Sequence, residues 1–314
     1  MLSRPPTRDE ARALAAAHLA ESDRVLVTGA GGWFGLTVAA LVASTAAQAM
    51  LVTRRPRLVD YGSGTAAAVA WDWDTVRAFS PTVIVDCAFI LRDFADSMPI
   101  EQYVYANTVL TARLLQVAQL ETVRAVVSVS SGSAVHPEDA RGRGVDLDPY
   151  GYLKRQAELA LLGAAETTGA QTVVARPWSL SGSLVTRPAR YAFSDLIMQA
   201  RSGEIRIEAA HEVWRRYCGV DDFFAVALAL ASTSPGILDS GGELVEVGAL
   251  AQRVCDVLGV DARIVRPEGP GGPSDDYYPP ADAWEAACAD VGLVPATLDE
   301  QIRSVDAHLR GRAG

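Results

Sequence analysis

The sequence predicts an α/β protein built on a doubly wound parallel sheet, and three observations predict it. Short apolar runs rich in valine recur at 24–28, 49–53, 66–71, 82–86, 124–130 and 171–176. Each is continuous rather than alternating, as strands buried on both faces are. Longer Ala/Leu-rich stretches such as "GLTVAALVASTAAQ" and "NTVLTARLLQVAQL" separate most of them, and strand–helix alternation implies helices on both faces of the sheet. Finally, "VTGAGGWFG" (27–35) sets a glycine cluster at the first strand-to-helix turn.

Taken in order, "TRDEARALAAAHLAESD" (7–23) mixes both charge signs and has no uninterrupted apolar segment. It reads as a helix before the first strand, not as a signal peptide. Gly29, Gly32 and Gly35 then fall in GxxGxxG spacing. Glycines there allow a tight turn, bring backbone N–H groups against a pyrophosphate and pack the helix on the strand. The helix N-terminus adds partial positive charge. Trp33 and Phe34, inside the run, join the glycines as candidate cofactor-binding residues, and the expected fold is of Rossmann type.

The second strand ends "LVTRRPR". A site for NAD usually carries a carboxylate there for the ribose 2′-OH. Arg54 and Arg55 stand in its place, and guanidinium groups suit a 2′-phosphate. NADP is therefore the preferred cofactor and NAD the possible one; the alternative for the two arginines is a solvated surface. The next strand ends "WDWD", where Asp72 is expected at the adenine edge with Trp73 beside it, although a tryptophan pair could equally be core.

"DPYGYLKRQAE" holds Tyr150 and Lys154 at YxxxK spacing, which puts both on one helix face. An ammonium close to a phenol, with a nicotinamide ribose nearby, lowers the phenol's pKa from about 10 toward neutrality and makes it a usable acid/base.

After Arg176 proline, glycine and serine become frequent, and "RPEGPGGPSDDYYPPAD" (266–282) reads as a long irregular loop over a site. The expected division is a dinucleotide-binding domain over 1–176, to which a segment near 217–233 returns, and a smaller C-terminal α/β substrate domain over 177–314. "FFAVALALA" (223–231) is too short for a bilayer and reads as a buried core helix.

Composition narrows the function classes. The chain has 314 residues, 49% apolar and 21% charged, which is ordinary for a soluble protein. A formal charge of −10 argues against nucleic acid as a partner. Cys87, Cys218, Cys255 and Cys288 are far apart, without CxxC spacing or a histidine cluster. No metal is therefore expected, and reduced thiols in the cytoplasm are the default. No run approaches the roughly 20 apolar residues of a membrane span.

With "TGAGGWFG", "WDWD", "NTVLTARLLQVA", "VSVSSGSAV", "PYGYLKRQAE", "ARPWSLSG" and "RRYCGVDD" in place, the chain resembles the extended short-chain dehydrogenase/reductases. Within them it is most similar to the NAD(P)-dependent epimerase/dehydratase group that works on sugar nucleotides. The resemblance implies Tyr150 and Lys154 as the catalytic pair and Asn107 as the helix asparagine near the cofactor. It implies Arg176–Pro177 closing the sixth strand, with the proline beside the nicotinamide. Arg215 would clamp the pyrophosphate of a nucleotide sugar, with Arg216 its neighbour, and a homodimer is expected through the helices that begin near Asn107 and Tyr150.

Three departures bear on the mechanism. Counting forward from the strand makes Ser131 the catalytic hydroxyl, with Ser133 in reserve, whereas counting back from Val135 lands on Gly132. His136 replaces the aromatic of the family's "VYG". The family's His-x-Ala-Ala reads "DCAF", so Asp86, Cys87 and Ala88 should approach the cofactor with altered contacts. No carboxylate follows Ser131, which disfavours dehydration unless Glu138 or Asp139 supplies one. Epimerisation and keto-sugar reduction remain; the alternatives are reduction of a non-sugar ketone and a non-catalytic dinucleotide-binding protein.

Overall fold

A computed structural model describes residues 7–95, 97–135, 144–269 and 272–312. The chain opens with α1 (Asp9–His18), β1 (Arg24–Thr28), α2 (Trp33–Val42), β2 (Gln48–Thr53), β3 (Arg57–Asp60), β4 (Thr65–Ala70), α3 (Trp73–Phe79) and β5 (Val83–Asp86). It continues through α4 (Ile100–Ala118), β6 (Ala125–Val129), α5 (Pro149–Thr168) and β7 (Gln171–Arg176). These strands, joined later by β11 (Gly236–Asp239), form an eight-stranded sheet in the order β11-β7-β6-β5-β1-β2-β4-β3. All its pairings are parallel except β3 on β4. Strand order reverses between β1 and β5, and a crevice opens at such a switch point.

The apolar strand runs fill both sides of this sheet. Val25, Val27, Val83, Val85 and Val127 pack with α1 and α2 on one face, while Leu26, Ile84 and Val126 pack with Leu114 of α4 and Leu161 of α5 on the other. Local chemistry sets the helix ends. Asp148 caps α5 by accepting from the Gly151 amide at 3.1 Å, Pro149 occupies the first turn, and Gly169 ends the helix at φ 73°. The helix expected over "GLTVAALVASTAAQ" stops at Val42, and Gln48 already belongs to β2. Backbone turns at Ser44 and Thr45 back-bond to Leu41 and Val42 and terminate it.

Beyond β7 come β8 (Leu180–Ser181), α6 (Ala192–Ser202), β9 (Glu204–Arg206), β10 (Val213–Gly219) and α7 (Val220–Thr233). After β11 follow β12 (Glu243–Glu246), α8 (Val247–Leu258), β13 (Arg263–Val265), β14 (Asp275–Tyr277), α9 (Asp282–Asp290) and α10 (Leu298–Arg312). Helix α7 is buried from Val220 to Ala231 and packs into the core of the main sheet, so apolar length there reflects burial on all sides. The segment that comes back to the sheet runs on past α7 to β11. A separate apolar cluster joins Leu196 and Ile197 of α6 to Leu250 and Val254 of α8 and Ile302 and Val305 of α10. The stretch expected to be irregular over 266–282 contains β14, which lies parallel to β10.

Candidate active site

A cleft of about 620 Å³ lies where the glycine turn meets the ends of β2 and β5. Gly29 has φ 64°, and a Cβ there would sit 2.6 Å from the backbone of Cys87. Gly35 packs the helix on the turn, since a Cβ would fall 2.4 Å from the Gly29 carbonyl. Gly32 differs: φ is −93°, and the nearest atom to an added Cβ is 3.5 Å away. Nothing in the protein's own packing requires glycine at this N-cap, whereas close approach of a phosphate to the helix N-terminus does.

The cleft wall continues through Trp33, Phe34, Arg54, Arg55, Cys87 and Ala88. It also includes Arg57, which the sequence reading passed over because it opens a four-residue edge strand. Arg54, Arg55 and Arg57 are exposed and make no ion pair among the described residues. Trp33 is fixed from behind, its indole donating to the Ser183 carbonyl at 2.9 Å with Tyr191 edge-on at 4.9 Å. A glycine-lined helix start flanked by free guanidinium groups fits a phosphorylated dinucleotide.

Asp72, Trp73 and Asn107 lie off this cleft wall. Asp72 caps α3, accepting from the Thr75 amide at 2.8 Å and its hydroxyl at 2.6 Å, while Trp73 packs against the core beneath the sheet. Neither lines the cleft. Asn107 is buried in α4 and accepts from the Ile90 amide at 2.8 Å, with the Tyr103 hydroxyl donating to the Ile90 carbonyl at 2.9 Å. It fastens the loop that carries Cys87, Ala88 and Phe89 instead of lining the cleft itself.

Tyr150 and Lys154 sit on the first turns of α5, with Lys154 buried and Tyr150 half-buried. The Ser131 hydroxyl adjoins the Tyr150 phenol closely enough to favour its ionised form. Ser133 turns instead toward Tyr277 of β14, 3.4 Å between hydroxyls. Lys154 donates to the Val129 carbonyl at 2.7 Å, and its ammonium lies 3.7 Å from the centre of the Phe89 ring. Phe89 also meets the Tyr150 ring edge-on at 5.7 Å and lines the cleft, so one side chain joins cofactor wall to catalytic pair.

Electrostatics depart from the expected lowering of the phenol. Burial pushes the Tyr150 phenol up, and the neighbouring Ser131 hydroxyl only partly opposes this. The Lys154 ammonium faces a carbonyl and an aromatic ring, and it is the group whose pKa falls, to about 8, through burial offset in part by Asp86. Burial also raises Asp86, whose carboxylate accepts from the Thr28 hydroxyl, and raises the Cys87 thiol.

One turn beyond Lys154 on the same face, Glu158 accepts from Arg176 at 2.7 Å twice, from Ser130 at 2.5 Å and from Arg155 at 2.9 Å. This buried pair ties α5 to β7. Pro177 accepts from the Gly132 amide at 3.0 Å and so positions the serine turn. His136, Glu138 and Asp139 lie outside the described residues.

On the side of the site away from the glycine turn, Arg215 pairs with Asp275 at 2.7 Å and lies 5.6 Å from the centre of the Tyr277 ring. Tyr277 packs on Trp178 at 4.9 Å, and Trp178 donates to Asp239 at 2.6 Å. Arg216, on the other face of β10, donates to the Pro279 and Gly242 carbonyls at 3.2 and 3.1 Å. Arg215 therefore reaches the serine turn through Tyr277, and Arg216 does not.

Comparison with known proteins agrees with this architecture. No curated protein matches the chain. Among solved structures, an epimerase from Methanothermobacter thermautotrophicus superposes with a TM-score of 0.74 at 18% identity, covering 97% of this chain and 96% of its own. UDP-glucose 4-epimerase from Thermotoga maritima, solved with UDP-glucose, gives 0.68 at 20% identity over 93% and 100%. RMD from Pseudomonas aeruginosa, solved with NADPH, gives 0.69 at 19% identity over 94% and 99%. At such identities these matches show the fold. The profile of the NAD dependent epimerase/dehydratase family matches residues 25–241, a span that holds the glycine turn, Ser131, Tyr150 and Lys154, and the chain belongs to that family.

Proposed function

We propose that the protein transfers hydride at a hydroxyl or keto carbon of a nucleotide sugar, with NADP preferred over NAD. The observation that carries this reading is the Ser131 hydroxyl beside the Tyr150 phenol, with Lys154 one turn along α5, next to the glycine-turn cleft. Gly29, Gly32, Gly35, Arg54, Arg55 and Arg57 would hold the dinucleotide. Bound nicotinamide supplies or accepts the hydride. Tyr150 moves the proton of the reacting hydroxyl, and Ser131 holds that oxygen in line with the phenol. The Lys154 ammonium, kept in a buried site, stabilises negative charge as it develops there. Gly132 and Ser133 follow the catalytic serine and bring no carboxylate, which supports epimerisation or ketone reduction over loss of water.

Preference for NADP is supported by the three guanidinium groups at the end of β2 and the start of β3, with no acidic residue beside them on the cleft wall. A nucleotide sugar is supported by Arg215, by the family, and by the UDP-glucose held in the Thermotoga maritima structure. Pairing of two copies through α4 and α5 is supported by Tyr105 and Leu159, exposed by 72% and 50% on those helices. The test is Tyr150→Phe, which should cut turnover by roughly a hundredfold or more while dinucleotide affinity stays nearly constant. Full activity in that variant would refute the mechanism. Arg215→Ala separates the substrate classes, since it should weaken a sugar nucleotide far more than a neutral ketone. Nucleotide released from denatured protein separates the reactions: retained oxidised dinucleotide indicates an epimerase, an empty protein a reductase.

A further inference from the structure

Four arginines line the cleft, and no carboxylate does so among the described residues, in a chain whose formal charge is −10. Three of them stand together after β2. Arg187 comes from a different part of the chain, the segment between β8 and α6, and reaches the same cleft beside Leu91, Phe94 and Tyr191. That segment is set against the phosphate end of α2 by the Tyr191–Trp33 contact.

The neighbours of Arg187 indicate a cation held in readiness. Asp93 has two partners, Arg190 in a close ion pair and Arg187 at 3.6 Å, a distance too long for a hydrogen bond. Arg187 also rests 5.7 Å from the centre of the Phe94 ring, which holds the guanidinium at the cleft edge without neutralising it. If Arg187 leaves, Asp93 keeps its charge partner in Arg190. An exposed pair of this kind contributes little, whereas a guanidinium on a phosphate oxygen forms a charge-assisted, forked contact. The glycine turn, for its part, supplies only backbone amides and the partial charge of the helix end.

We propose that Arg187 is a pyrophosphate clamp: it gives up Asp93 and takes an oxygen of the dinucleotide pyrophosphate, while Arg54, Arg55 and Arg57 hold the 2′-phosphate. This rests on the reading of the cleft as a dinucleotide site. Both dinucleotides carry the pyrophosphate and only one carries the 2′-phosphate, so the two arginine groups have different signatures.

The experiment is fluorescence titration of NADPH and of NADH into wild type, Arg187→Ala, Asp93→Asn and the double variant Arg54→Ala/Arg57→Ala. Arg187→Ala should raise both dissociation constants by the same factor, on the order of tenfold, at an unchanged melting temperature. Asp93→Asn should leave binding as tight as wild type or tighten it, because it frees the clamp. The double variant should weaken NADPH alone. Unchanged affinities in Arg187→Ala overturn the clamp and leave the dinucleotide reading standing. Equal weakening by Arg187→Ala and Asp93→Asn also overturns it, because the contact would then be a structural strap. A wild-type protein that binds neither dinucleotide overturns the clamp and the reading beneath it together.

Discussion

Replacing Glu158 by alanine tests whether the site's supporting frame is electrostatic. The wild-type carboxylate is 2% exposed and receives both arms of Arg176, itself 7% exposed, at 2.7 Å. Removing one partner of a buried ion pair strands the other charge and typically costs about 3–5 kcal/mol. Ser130 loses its acceptor as well, worth about 1 kcal/mol. Against this, Asp239 lies 3.8 Å from Arg176 and recovers part of the loss. The expected cost is therefore about 3–4 kcal/mol, near the lower end of that range. Urea unfolding followed by far-UV circular dichroism measures it directly. In the paired variant Glu158→Leu/Arg176→Met no charge remains stranded, and the cost should fall below about 1.5 kcal/mol. The sign with pH is also fixed. Burial pushes the Glu158 carboxyl up, but the Arg176 and Ser130 hydrogen bonds and the Arg176 charge outweigh it and hold it below its ordinary 4.5. Its contribution is present above that value and disappears as pH falls through the lower folded-state value. A loss under about 1 kcal/mol in Glu158→Ala, or additive losses in the paired variant, would refute the buried-pair argument.

Further outcomes concern the glycine turn and the lysine. Gly35→Ala should destabilise the fold by about 2–3 kcal/mol, because its Cβ meets backbone that cannot yield; thermal unfolding checks this. Gly32→Ala should melt like wild type yet lose roughly tenfold or more in dinucleotide affinity, and unaltered binding would remove the phosphate from that helix end. Turnover should decline as pH rises through about 8, where the Lys154 ammonium loses its proton, and a flat profile from pH 7 to 9 would contradict it (roughly one unit either side of that value). Phe89→Ala lets water reach the ammonium, so the alkaline limb should move upward, toward the ordinary 10.5; a limb that stays put assigns the shift to other neighbours.

The strands of the main sheet were legible because parallel burial leaves an unbroken valine signature, and the turn because glycine is dictated by geometry at Gly29 and Gly35. YxxxK was legible because both residues belong to one helix. Strand β3 was not: its four residues are mostly exposed, lie antiparallel at an edge and carry no alternation, so Arg57 was hidden inside it. The cap that Asp72 provides was legible too, since its spacing to Thr75 is that of a helix cap. Glu158 could have been found, since it stands one turn further along the face of Tyr150 and Lys154. Phe89 and Tyr277 lie in two segments already expected near the site, "DCAF" and 266–282, but their contacts with Tyr150 and Ser133 are made between segments distant in sequence, which no local pattern reports.

The path of the chain has a consequence for how such an enzyme can be taken apart. After β7 the polypeptide leaves the main sheet, returns for α7 and β11, leaves again, comes back with Trp284 of α9 and departs finally into α10. No single cut separates the main sheet from the cluster of α6, α8 and α10. A fragment ending at Arg176 would bare the face that α7 covers and the edge that β11 pairs, and it should precipitate rather than bind nucleotide. Moving the α6–α8–α10 cluster as a unit would require grafting several separate stretches of chain at once.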